Sequence, residues 1–251
     1  SQRQAVAISP NLPQLHLNLG EGLLALNRLP EAIDAFRKAI ELKPAELKAH
    51  LGLARAHQLH GDLEQALLNA EQGLAIQPDW LPIQWIKFQL LNMLERPEAA
   101  NEAVEAMLTN QPNCGISHLA KACLLQETHR NEECHRTLDQ ALKLDPSLYG
   151  AHFCRSYLFA AAGKFQDAIS AVKQAVAVAP SFYDGHLQRF YLELICHGDQ
   201  GERIRIEAEQ FWNHYPTPRV NPFPAREAIA NQVLANEAPI RLLLISGDID
   251  N

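Results

Sequence analysis

Six prolines, Pro10, Pro44, Pro78, Pro112, Pro146 and Pro180, recur at one constant step without a gap. Whatever a proline interrupts once in this chain it must interrupt at every step, so a single structural unit recurs. Three apolar rows keep the same step. One is Ala32, Ala66, Ala100, Cys134 and Ala168; another is Phe36, Ala70, Val104, Leu138 and Val172; the third is Ala39, Gly73, Met107, Ala141 and Ala175. Offsets of four and three put the rows on one face of a helix. Small residues recur where two helices must approach closely, and larger ones one turn away. Breakers divide each unit in two: Asn27-Arg28-Leu29-Pro30, His60-Gly61-Asp62, Glu95-Arg96-Pro97 and Ala162-Gly163-Lys164. Pro30 and Pro97 suit the first turn of a second helix, where a missing N–H costs little. The expectation is an all-α chain of helix pairs, each burying its apolar face only against its neighbours.

The clearest unit runs from Leu19-Gly20 through Ala32-x-x-x-Phe36 to Pro44. This resembles the tetratricopeptide repeat (TPR), a helix-turn-helix unit whose length equals the step from Pro10 to Pro44. The resemblance covers residues 11–180 as five repeats, with a degenerate sixth over 181–216. It implies a right-handed TPR superhelix, an α-solenoid, with an irregular C-terminal helical cap. Ala5 to Pro10 aligns with Ala39 to Pro44. Residues 1–10 are therefore expected to be the end of a truncated preceding repeat, with further repeats upstream.

Past Glu202 the step breaks, and the expected proline arrives late, at Pro216. Gly201 to Tyr215 still reads as a helix. Residues 217–251 read as a Pro-rich linker with Pro218, Pro222 and Pro224, a short helix over Ala225 to Asn236, and a short isolated strand over Ile240 to Ile245. That strand is expected to open a truncated domain. Repeats, then a helix with Phe211-Trp212, then the linker, then Arg241, Ile245, Ser246 and Asp248 resemble the junction in SPINDLY/O-GlcNAc transferase-like glycosyltransferases. The resemblance implies a catalytic region of two Rossmann-like lobes beyond Asn251 and no catalytic residue within this chain. That family carries an asparagine ladder on its A helices. Here only Asn18 matches, and the equivalents are Gly52, Ile86, Ala120, Cys154 and Gln188.

The net charge is -7, which opposes non-specific nucleic-acid binding. No apolar run approaches the ~20 residues of a membrane span. Five cysteines at irregular spacing, without a CxxC, make neither a disulfide framework nor a zinc site. A cytoplasmic protein without metal or cofactor is expected, and no P-loop, GxSxG, HExxH or GxGxxG is present.

Three further rows bear on function. His16, His50, His118, His152 and His186 share a slot with Gln84. Successive members lie a helix pair apart and cannot share one ion, so packing is the favoured reading and pH sensing the other. Lys87, Lys121, Arg155 and Arg189 form either a basic track for an acidic partner or snorkelling stems whose charges meet carboxylates. The A helices should line the concave face. Two rows are expected to point there: Leu17, Leu51, Trp85, Leu119, Phe153 and Leu187, and Glu21, Arg55, Gln89, Cys123, Tyr157 and Tyr191. The candidate partner-binding residues are Asn18, Glu21, Arg55, Trp85, Gln89, Phe153, Tyr157 and Tyr191. The expected function is binding of a protein or peptide in the concave groove, as the recognition arm of a glycosyltransferase-like protein. A stand-alone adaptor and self-association are the alternatives.

Overall fold

The computed structural model describes residues 9–197 and 200–214. All belong to the first of two units, 1–217; the second, 218–251, lies outside the described residues, and with it the expected linker, short helix and strand. Among the described residues there are twelve helices and no strand. The A helices are α1 (Pro13–Ala25), α3 (Leu47–His60), α5 (Leu81–Met93), α7 (Gly115–Glu127), α9 (Tyr149–Ala161) and α11 (Tyr183–Cys196). The B helices are α2 (Leu29–Leu42), α4 (Leu63–Ile76), α6 (Pro97–Asn110), α8 (Asn131–Leu144), α10 (Phe165–Val178) and α12 (Gly201–His214).

Each A helix of the first five pairs ends in the same way. Asn27, Gly61, Glu95, His129 and Gly163, spaced by the same step as the prolines, adopt positive φ. At each, the residue's own N–H bonds three residues back and the next N–H bonds five residues back, as in Asn27 to Leu24 at 3.0 Å and Arg28 to Leu23 at 2.9 Å. This paired closure satisfies carbonyls that a helix end leaves orphaned. Glycine takes that conformation freely, whereas Glu95 and His129 accept a cost of roughly 1 kcal/mol each. His129 is the turn residue the sequence does not announce, because nothing about histidine marks a left-handed position.

The small-residue row sits where α-helices touch. Ala32, Ala66, Ala100, Cys134 and Ala168 have no exposed surface. In the first repeat the gap is filled by Phe36, itself fully buried. Its ring lies between Gly20 of α1 and Gly52 of α3. A β-carbon at Gly20 would stand 2.7 Å from the ring, and one at Gly52 closer still. Both glycines are therefore required by a neighbour's bulk rather than by backbone freedom.

The in-step prolines and histidines turn out to be one device. His16 Nε2 bonds the carbonyl of Pro10 at 2.7 Å, His50 that of Pro44 at 2.9 Å, and His118 that of Pro112 at 2.9 Å. His152 and His186 repeat the bond to Pro146 and Pro180 at 3.0 Å. Where the histidine is missing, Gln84 Nε2 donates to Pro78 at 2.9 Å. Each bond ties the loop before an A helix to that helix, and from His50 onward that loop follows a B helix. It assigns the proton to Nε2, and in His50, His152 and His186 it leaves Nδ1 buried without a partner.

The sixth pair resolves the late proline. Ile204, Ala208 and Phe211 are buried and pack on Phe190. They follow Ala168, Val172 and Ala175 by the usual step plus two. Two extra residues between the start of α11 and the start of α12 shift the frame, and the buried face continues in the new register.

Two outcomes follow. Gly52→Ala adds a methyl group inside the Phe36 ring's volume. Overpacking costs about 1–3 kcal/mol, only partly offset by the helix preference of alanine, about 1 kcal/mol. The denaturant midpoint should fall, and an unchanged or raised midpoint would mean that the ring does not set the spacing. Burial chiefly, then Arg189, pushes the His186 pKa down against the pull of the Pro180 carbonyl. The unfolded chain then binds more protons on acidification, so this histidine's stability is present above about pH 6.5 and lost as pH falls through the folded value. His186→Gln keeps the bond, as Gln84 shows, and removes the titration. The variant should lose less thermal midpoint than the parent between about pH 7 and pH 5; equal losses would refute the assignment.

Candidate functional site

The two sides of the array differ. From α1 to α9, each A helix touches the next A helix, α1 on α3, α3 on α5, α5 on α7 and α7 on α9, while contacts between successive B helices are sparser among the described residues. The A side is the inner, closer-packed side. Side chains cross between neighbouring A helices there. Gln58 Nε2 donates to Met93 Sδ at 3.3 Å, Asn92 Nδ2 donates to Glu127 Oε1 at 3.3 Å, and Cys123 Sγ lies 4.0 Å from Cys154 Sγ.

The row Glu21, Arg55, Gln89, Cys123, Tyr157 and Tyr191 supplies the surface of this side. Glu21 and Arg55 are exposed and make no ion pair among the described residues; Gln89, Cys123, Tyr157 and Tyr191 are half-buried. Burial pushes both phenols above their ordinary range, so Tyr157 and Tyr191 are neutral hydroxyl donors at any physiological pH. The face runs from charged at the N-terminal end to amide, thiol and phenol at the C-terminal end.

Half of the other expected row is seam, and Leu51, Trp85 and Leu187 are half-buried. Leu17 and Leu119 are buried. Phe153 is 7% exposed and meets Phe182 edge-on at 5.0 Å, so it contributes almost no surface. Trp85 is half-buried, packs against the cores on both sides of it, and lies 5.6 Å from Phe88. Asn18 is half-buried, and its Oδ1 accepts from Gln14 within the same helix at 2.7 Å. Sequence reasoning passes over a polar row on this face, Gln58, Asn92 and Gln126. Their spacing, the same step as the prolines, is the available signal.

The basic row faces the opposite way. Lys87 pairs with Glu71 at 3.3 Å, Lys121 with Glu105 at 4.0 Å and Arg155 with Asp139 at 2.5 Å. Each carboxylate belongs to the preceding B helix, at the same offset from its cation. Arg189 meets Glu207 at 3.5 Å and covers the Phe190 ring at 4.4 Å. These exposed to half-exposed pairs contribute at most about 1 kcal/mol each. The Arg155–Asp139 pair lines a cleft of about 320 Å³ between the B helices α8 and α10, together with His135, Phe159, Asp167 and Gln174. A track of cations each held by its own carboxylate presents no basic stripe.

Among the described residues no three His, Cys, Asp or Glu side chains are placed to hold a metal ion, and no helix is long and apolar enough to cross a membrane. A family model for the tetratricopeptide repeat matches residues 17–79 and 119–183, together just over half of the chain. The chain belongs to the tetratricopeptide repeat family. The chain is 39% identical over 75 residues to the protein STIP1 homolog of Dictyostelium discoideum. That match takes in 30% of this chain and 13% of the relative, so the chain spans only a small part of it. Among solved structures, TTC0263, a thermophilic TPR protein of Thermus thermophilus, superposes with a TM-score of 0.63 at 22% identity, over 73% of this chain and all of that one. A chain of the APC/C hetero-tetramer Cut9–Hcn1 superposes with a TM-score of 0.66 at 15% identity, over 87% of this chain and 43% of that one. Identities this low carry the TPR fold and nothing finer.

Proposed function

We propose that this TPR chain binds a segment of a partner protein along the inner face of its A helices. The observation that carries the reading is the row from Glu21 to Tyr191. It recurs at one register of every repeat, on the side where A helices meet, and is exposed or half-buried in all six, whereas the flanking row is buried at Leu17, Leu119 and Phe153. Tyr157 and Tyr191 are the anchors, since a rigid aromatic with a polar tip offers large contact area at small entropic cost. Glu21, Arg55 and Gln89 set orientation by charge and hydrogen bonding, with Trp85 and Asn18 at the margin. On the outer side the basic row of the A helices has its charges paired with carboxylates.

The test uses peptides selected from a displayed random library on the native chain. Tyr157→Ala and Tyr191→Ala should each weaken the selected peptides about tenfold, as loss of an aromatic anchor costs roughly 1 kcal/mol or more. Arg136→Ala, an exposed change on the outer side, should leave binding unchanged. Loss of binding from the outer change alone would place the site on the other face.

The finer reading is that this face presents protein substrates to a glycosyltransferase-like region following Asn251. Its support is the sequence of Arg241, Ile245, Ser246 and Asp248, which lie outside the described residues. A coding sequence that continues past Asn251 with alternating strand and helix patterns, in a protein that binds a sugar nucleotide, is the expected result. A stop codon there leaves a TPR adaptor.

A further inference from the structure

Two cysteines from different repeats meet on the inner face. Cys123 lies in the third turn of α7 and Cys154 near the middle of α9, with their sulfurs 4.0 Å apart. Neither thiol is explained by its row. The slot of Cys123 holds Glu21, Arg55, Gln89, Tyr157 and Tyr191 in the other repeats, so the fold does not ask for a small apolar group there. The slot of Cys154 holds Asn18, Gly52, Ile86, Ala120 and Gln188. Each row contains one cysteine, and those two cysteines fall side by side. Both are half-buried rather than sealed in the core.

We infer that Cys123 and Cys154 are a dithiol site that closes to an intramolecular disulfide joining the fourth and fifth repeats. A disulfide needs sulfurs about 2.05 Å apart. Rotation about the two Cα–Cβ bonds has to bring them roughly 2 Å closer, across two helices that are already packed together. The chemistry requires a small-molecule disulfide as oxidant, such as glutathione disulfide. One protein thiolate attacks a sulfur of the small disulfide, forming a mixed disulfide and releasing one small thiolate. The second protein thiolate attacks the protein-bound sulfur of the mixed disulfide, forming the Cys123–Cys154 bond and releasing the second small thiolate. The two protons lost by the protein thiols end on the two released thiols, and the small disulfide is reduced by the two electrons that the protein gives up.

The other cysteines do not compete. Cys134 has no exposed surface, donates to the carbonyl of Ala122 at 3.1 Å, and is pushed up to about 12 by burial, which keeps it an inert thiol. Cys114 precedes the first turn of α7 and Cys196 ends α11. The hydrogen bond with Cys154, together with burial, holds Cys123 protonated well above the ordinary thiol range. A bond at this place encloses the B helix α8 and fixes the separation of α7 and α9 beside Tyr157. The site stands independently of what the inner face binds.

The experiment treats the reduced, intact chain with excess glutathione disulfide, alkylates remaining thiols, and maps the digest by mass spectrometry without reduction. The main product should be a peptide pair linked through Cys123 and Cys154 in a monomeric chain lighter by two hydrogens. Its thermal midpoint should rise by about 10 °C over the reduced form, the order expected for closing a loop of this size. Cys123→Ser and Cys154→Ser should each stop at the mixed disulfide on the remaining partner. Serine at both Cys114 and Cys196 should leave the yield of the linked pair unchanged. Full alkylation of Cys123 and Cys154 after oxidation, separate glutathione adducts on both, or a dominant link between chains would overturn the inference, and the mapping of the native chain decides this even if a variant fails to fold.

Discussion

A pair of helices of 13 or 14 residues cannot bury its own apolar face, and everything else in this protein answers that constraint. Each unit is completed by the next. The small residues at Ala32 and its equivalents let helices approach, and side chains such as Phe36 then reach across to two A helices at once. The bond from the proline carbonyl to the following histidine makes the same joint in polar terms. It satisfies a loop carbonyl and pins the angle at which one pair meets the next. That Gln84 substitutes without loss of the bond shows that the slot demands a donor of the right reach, not an imidazole.

Stacking in one direction separates two environments. On the outer side, cations of the A helices find carboxylates of the preceding B helices, and the charges cancel in place. On the inner side, Glu21 and Arg55 lie in separate repeats, and the row passes from these charges to phenols without partners of that kind. Recognition needs groups whose hydrogen bonds and apolar faces are still free to be used. The physics therefore favours the side that has them, and the thiol pair of Cys123 and Cys154 lies within that side.

Much of this is legible in the residues. The proline, alanine and phenylalanine rows force a repeat of helix pairs. Period alone groups the row from Glu21 to Tyr191 at one register of the A helices. Other features are not legible, for identifiable reasons. The histidine row reads as packing, because a sequence cannot show that Nε2 of each ring meets a carbonyl six residues earlier. Phe153 groups with surface aromatics, since the contact with Phe182 that buries it comes from the next repeat. The sixth repeat looks degenerate because two inserted residues move its buried face from the expected register to Ile204, Ala208 and Phe211. The pairing of the basic row can be named as an option but not chosen.

The sequence by itself determined the period, the all-α class, the turn positions that proline, glycine or asparagine marks, and the identity of the residues that must be small. These follow from local rules: proline lacks an N–H, glycine tolerates positive φ, and helical periodicity assigns a face. Only the tertiary structure decided which charges are spent, which aromatics are buried and which thiols meet. Those outcomes depend on distances between residues 16 to 35 positions apart, set by how one helix pair stacks on the next.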